Sequence, residues 1–187
     1  VWDGVGAHGF APFRDTNPNC PPESAYKALG VGGSQHGLYA FQSPDGLHWT
    51  LIKPDPIITQ GAFDSLNLAF WDAERGVYRE YHRDFRDGRD IRTSTSPDFS
   101  NWTVPEYLSY VAQVDSSQSN DEPADLKDPV GANYPFGRVS ELYTNQIAPY
   151  YRAPHLVLGF PTRYIDRGWT ESAKLLPRYD YRQVRAK

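Results

Sequence analysis

Two stretches of this 187-residue chain repeat each other. Ser43-Pro44-Asp45-Gly46-Leu47-His48-Trp49-Thr50 and Ser96-Pro97-Asp98-Phe99-Ser100-Asn101-Trp102-Thr103 agree at five of eight positions, with Asp45 and Asp98 53 residues apart and no gap in either copy. Upstream, Phe13-Arg14-Asp15-Thr16-Asn17 has a looser counterpart in Phe63-Asp64-Ser65-Leu66-Asn67, offset by 50. A fixed period of about 50 residues restricts the chain to folds that set one supersecondary unit beside the next, and a four-stranded antiparallel propeller blade has that length.

The expected fold class is therefore all-β: a β-propeller of about two and a half blades, with blades at about 10–55, 60–105 and 141–164. Blade one reads as Phe13 to Asn17 on the inner strand, then Ala25 to Leu29, Gly37 to Gln42 and an outer strand around Trp49 to Ile52. Pro44 presets φ for the turn between the last two, and Gly46 accepts a positive one. Blade two reads as Ser65 to Trp71, Val77 to Phe85, Arg89 to Ser94 and Trp102 to Val104, with Asp87-Gly88 as a hairpin signal. Blade three opens with Tyr143 to Tyr150 and continues with His155 to Phe160. A polar connection at about 109–140 separates blades two and three. It carries Asp115, Asp121, Glu122, Asp125 and Asp128 and reads as a solvated excursion, with a cation site or active-site rim as the sharper alternative. The basic tail at 165–187 is expected to pack poorly.

Composition narrows the partners. The chain holds 39% hydrophobic residues, enough for a core, and its net charge of −4 argues against nucleic acid or an anionic membrane as the main partner. No run approaches the roughly 18 apolar residues of a spanning helix. Aromatic residues reach 14%, with 13 Tyr and 5 Trp, which suits both β-structure and stacking on sugar rings. One cysteine, Cys20, and five histidines without metal-ligand spacing predict no metal and no cofactor. The absence of methionine and the abrupt start at Val1 read as an excerpt or a processed form of a longer protein.

Inner strands line the axis of a propeller, so the polar residues near their starts are the candidate site. Hydrolysis of a glycosidic bond needs two carboxyl groups astride it, one protonated and one ionised. Asp15 and Asp64 are the candidate pair, with Arg14 beside Asp15 to hold it ionised. The offset of 50 aligns Asp64 with Arg14, and a one-residue slip in a strand exchanges faces, so equivalent orientation of the two carboxyls requires a bulge. Arg14, Asn17, Asn67, Arg83, Asp84, Asn145, Gln146 and Arg163 are candidate substrate-binding residues. For Arg83 and Asp84 a cross-strand ion-pair ladder is the commoner reading, and Arg163 reads equally as a partner of Asp166. The repeated Ser-x-Asp-x-x-x-Trp stretches are a fold device: the Asp accepts amide bonds across a turn while the Trp packs between sheets.

Those stretches resemble the turn motif of sialidase and other glycosidase propellers. Phe13-Arg14-Asp15-Thr16-Asn17-Pro18 resembles the Arg-Asp-Pro element of the furanosidase clan, glycoside hydrolase families 32, 43 and 68, although Thr16-Asn17 separates Asp15 from Pro18. Together with Ala62-Phe63-Asp64-Ser65 and Arg152-Ala153-Pro154-His155 through Tyr164, it resembles uncharacterised bacterial propeller proteins related to that clan. The resemblance implies a five-bladed parent acting on a furanoside or related sugar of an oligo- or polysaccharide. Asp15 would be the transition-state stabiliser and Asp64 would stand at the place of the acid. From the class alone, the compartment would be extracellular or periplasmic. Two other readings stay open: a non-catalytic carbohydrate-binding propeller, and a protein-interaction scaffold. A sialidase would require Arg14, Arg83 and Arg163 to converge.

Overall fold

A computed structural model describes residues 4, 6, 8–86, 88–109, 141–164 and 175. The fold is all-β and propeller-like, built of antiparallel sheets. Strands β1 (His8–Arg14), β2 (Tyr26–Val31), β3 (Tyr39–Ser43) and β4 (Thr50–Leu51) form one four-stranded meander in sequence order. Strands β5 (Leu68–Asp72), β6 (Val77–Phe85), β7 (Arg89–Ser96) and β8 (Glu106–Tyr107) form a second of the same order. The third region has two two-stranded pairs: β9 (Leu142–Thr144) with β12 (Thr162–Arg163), and β10 (Ile147–Tyr150) with β11 (Ala153–Gly159). The connection at 110–140, with its acidic stretch, and the tail beyond 164, except Leu175, lie outside the described residues, as does Asp87.

Successive residues of a strand face opposite sides of the sheet, and the core follows that rule. Leu29, Leu38, Ala40, Ala69, Tyr78 and Phe99 are buried between the first and second sheets. The neighbouring positions Phe70, Tyr81 and Ile91 turn the other way and pack with Leu142, Ile147 and Val157 of the third region. Ala28, Tyr39 and Phe41 cover the far side of the first sheet with Phe10 and Trp49.

The repeated motif folds as one device in both copies. Asp45 Oδ1 accepts the amides of Leu47 and His48, each at 2.8 Å, and Asp98 Oδ1 accepts those of Ser100 and Asn101, each at 2.8 Å. The indoles close the turns, Trp49 Nε1 donating to Gly46 O at 3.1 Å and Trp102 Nε1 to Phe99 O at 3.3 Å. Gly46 and Phe99 both adopt the left-handed conformation, at φ 77° and 65°. That conformation costs a side-chain-bearing residue about 1–2 kcal/mol. The fully buried Phe99 ring offsets it by packing edge-on against Phe13, Tyr78 and Trp102.

Strand placement departs from the sequence reading in three places. The first inner strand ends at Arg14 and begins at His8, so Asp15 and Asn17 lie beyond it. The outer strand of the second sheet is Glu106–Tyr107, because Trp102 is held in the turn. The third inner strand is broken between Thr144 and Ile147, where Gln146 takes φ 45° and the Asn145 side chain turns inward.

Candidate functional site

The register defines two ends. Arg14 pairs with Tyr26, Tyr26 with Ser43 and Tyr78 with Ser96, so the turn motifs, the start of β6 and the residues after β1 share one end. Phe85 pairs with Arg89 at the opposite end, where the β2–β3 connection and the segment before β5 also lie.

Asp15 is at the motif end, and every part of its carboxyl is engaged. Its fully buried side chain is ion-paired with Lys27, accepts Tyr78 Oη at 2.6 Å and accepts the Asn17 amide at 2.9 Å. Burial acts to raise its pKa, but the hydrogen bonds from Lys27 and Tyr78 outweigh it, and the carboxyl lies below its ordinary value. The expected cation, Arg14, is exposed; Lys27 has that role. Asn17 is used in the same cluster, its Nδ2 donating to Tyr78 Oη at 3.1 Å. This cluster fastens the first inner strand to the second sheet.

Asp64 is at the other end. Arg83 grips it with both Nε, at 2.7 Å, and Nη2. Burial raises the pKa of Asp64, but the Arg83 bond and charge outweigh it, with Arg89 adding to them, so the net shift is downward. The Asp64 side chain is 49% exposed and that of Arg83 5%. Thus the carboxylate faces solvent with its cation behind it. Asp64 edges a cleft of about 350 Å³ whose remaining wall is Val31, Gly32, Gly33, Ser34, Gln35, His36, Gly37, Ala62 and Phe63. Among the described residues, no arginine or lysine lines it. On the far side of Arg83, its guanidinium lies 4.4 Å from the Tyr143 ring centroid, and Ser65 Oγ donates to Tyr143 O at 2.6 Å. Arg89 stacks 3.7 Å over Tyr164 and pairs with Glu141 at 3.1 Å, which brings a second carboxylate to the same end.

The structure does not bring Asp15 and Asp64 together. Asp15 is bound by Tyr78 at one end of β6 and Asp64 by Arg83 near the other. Those anchors are five positions apart, about 16 Å along a strand, and an odd offset puts them on opposite faces. Of the candidate binding residues, Asn67 Nδ2 donates to Phe63 O at 2.9 Å and Ser65 O at 3.2 Å, closing a buried turn. Asn145 Nδ2 donates to Leu66 O at 2.9 Å and Tyr81 O at 3.2 Å, tying the third region to the second sheet. Asp84 belongs to the cross-strand ladder, with Arg92 Nε at 2.6 Å and Tyr107 Oη at 3.0 Å. Gln146 is exposed beside Asn145, and Arg163 is exposed on β12; Asp166 lies outside the described residues. Arg14 and Arg83 sit at opposite ends, so these two do not converge on one carboxylate as a sialidase requires.

Sequence reasoning passed over His36, Tyr143 and Glu141. The Gly-rich stretch around Gly32 and Gly33 signalled only a turn, and nothing local showed that it would wall a cleft with Asp64, far along the chain. The chain matches no protein-family model, and no curated protein matches its sequence.

Proposed function

We propose that this chain is the sugar-recognising part of a carbohydrate-active propeller and that its ligand is a neutral furanoside or related polyol. One observation carries the reading: a half-exposed carboxylate at the edge of a cleft, with its bidentate cation buried behind it. Such a group accepts hydrogen bonds from vicinal hydroxyls. The cleft volume falls in the range of small-molecule sites, about 300–1,000 Å³. Arg83 balances the Asp64 charge from behind, but the carboxylate is the member of the pair that edges the cleft. No arginine or lysine is among the described lining residues, which favours a neutral sugar over an anionic one.

For glycosidic hydrolysis the acid–base pair is Asp64 with a carboxyl at its own end, because Asp15 is remote and saturated. Glu141 favours this second reading: its partner Arg89 and the Asp64 partner Arg83 both lie over the ring of Tyr143. Asp64, ionised by Arg83, fits the base or stabiliser, and Glu141 would have to leave its Arg89 contact to serve as the proton donor.

Calorimetric titration with methyl α-L-arabinofuranoside and methyl β-D-fructofuranoside, using glucuronate as the anionic control, tests recognition. Binding of a neutral furanoside that Asp64→Asn weakens at least about tenfold, the scale of one charge-assisted hydrogen bond, is expected. No binding, or binding that D64N leaves unchanged, overturns the reading. Turnover of 4-nitrophenyl α-L-arabinofuranoside that both D64N and Glu141→Gln abolish would establish the hydrolytic version.

A further inference from the structure

The segment that carries Asp64 is held in an unusual way. Phe63, immediately before it, is 2% exposed and sits at φ 57°, a conformation that side-chain-bearing residues rarely adopt. Its ring packs against two imidazoles, His36 at 5.2 Å and His82 at 4.8 Å between centroids. The same imidazoles engage consecutive carbonyls of the segment: His82 Nε2 lies 3.0 Å from Gln60 O, and His36 Nε2 lies 2.7 Å from Gly61 O. Just beyond, the amides of Ala62 and Phe63 both donate to Arg83 O, at 3.0 and 3.1 Å. A Cβ on Gly61 would stand 2.5 Å from the His82 ring and 2.6 Å from the Phe63 ring, so the approach admits only glycine.

We infer that His36 and His82 are positioning residues, a two-imidazole clamp that holds the strained Phe63 turn and thereby aims the Asp64 carboxylate into the cleft. A carbonyl oxygen only accepts, so each Nε2 must carry a proton. For His36 this leaves Nδ1 of the neutral ring as an acceptor on a cleft-lining residue, a second acceptor beside Asp64 for ligand hydroxyls. For His82 the second nitrogen faces Glu80 Oε2 at 2.9 Å, and Glu80 Oε1 accepts Ser94 Oγ at 2.5 Å. The wholly buried Glu80–His82 pair fixes the ring that the turn leans on. His36 is exposed and Phe63 is not, so the clamp has one arm that can be altered without opening the core.

The inference rests on the sugar-binding reading for its consequence and on backbone geometry for its premise, so two measurements separate them. The first is amide hydrogen exchange of Ala62 and Phe63 by NMR in the whole chain without ligand. His36→Ala is expected to speed both by about tenfold or more, the equilibrium equivalent of one lost hydrogen bond, and His36→Gln, which keeps an N–H donor, to restore most of the protection. His82→Gln, which loses the Glu80 contact, is expected to fall between them. Unchanged exchange in H36A, or H36Q as fast as H36A, overturns the clamp. The second is affinity for methyl α-L-arabinofuranoside and methyl β-D-fructofuranoside: H36A weakens it and H36Q recovers it, in the order of the exchange rates. If the wild-type chain binds neither probe, the sugar-binding reading falls while the exchange data still decide the clamp.

Discussion

Asp15 and Asp64 are anchored at opposite ends and on opposite faces of one strand, Asp15 through Tyr78 and Asp64 through Arg83. The two residues belong to matching segments of a repeat, yet one carboxylate is walled in by Lys27 and the other meets solvent. Their substitution therefore has different consequences.

Asp15→Asn removes the charge that balances a Lys27 ammonium only 6% exposed. The expected loss of unfolding free energy is about 3–5 kcal/mol, the cost of stranding a buried charge. Urea unfolding at pH 7 measures it. Sugar affinity of the folded fraction is expected to be unchanged, because the Asp64 cleft is at the other end. The sign with pH follows from the lowered carboxyl: the stabilisation is fully present above the unfolded value of about 3.9 and is lost as pH falls through the folded one. An unfolding midpoint that D15N leaves within error would refute a structural role for Asp15.

Asp64→Asn is expected to act chiefly on binding. Half of the Asp64 side chain already meets water, but the Arg83 side chain it pairs with is 5% exposed. Stability therefore falls as well, by less than for the fully buried Asp15, while affinity for a neutral furanoside drops at least about tenfold. Thermal unfolding and calorimetric titration on the same sample give the two numbers. A large stability loss with retained binding would move Asp64 into the scaffold.

Phe99→Ala is expected to cost about 3–5 kcal/mol, as for other buried aromatic truncations. The residue occupies the turn position that Gly46 fills in the other copy, and its ring is fully buried between the two sheets. Gly46→Phe, at a position whose neighbour is the flank of Tyr26, gains no such core and is expected to destabilise through its positive φ. Denaturant midpoints of both variants check this asymmetry.

Asp98→Asn tests the motif itself. Burial opposes ionisation of Asp98, but the Asn101 and Ser100 amides outweigh it and bring the carboxyl down to about 2. A lowered folded value means stabilisation that is complete above about 3.9, the unfolded value, and disappears as pH falls toward 2. The wild-type and D98N unfolding midpoints are expected to differ at pH 6 and to converge near pH 2. The site is exposed, so the difference amounts to no more than about 1 kcal/mol. A difference that stays constant across this pH range would place the effect elsewhere than in the carboxylate.

Most strands are legible in the order of the residues. Val77 to Phe85 forms the strand that its alternation predicts, and Arg89 begins the next where expected. Trp102 misleads for a physical reason: an aromatic flanked by Thr reads as strand, but its indole is needed at the turn carbonyl of Phe99. Asn67 and Asn145 mislead in a similar way. Their amides suit sugar hydroxyls and buried main-chain carbonyls equally well, and only the fold shows that the carbonyls claim them.

The repeat, the blade-like meanders and the turn motifs are written in the residues themselves, since turn chemistry and two-residue alternation act over a few neighbouring positions. Which end of the sheet each carboxylate occupies, and which cation it meets, is settled by the folded chain. Asp15 finds Tyr78, 63 residues away, and Asp64 finds Arg83, 19 away. A first strand that starts at His8 and not at Phe13 puts Asp15 past its last residue, at the motif end of the sheet, and no local signal records that displacement.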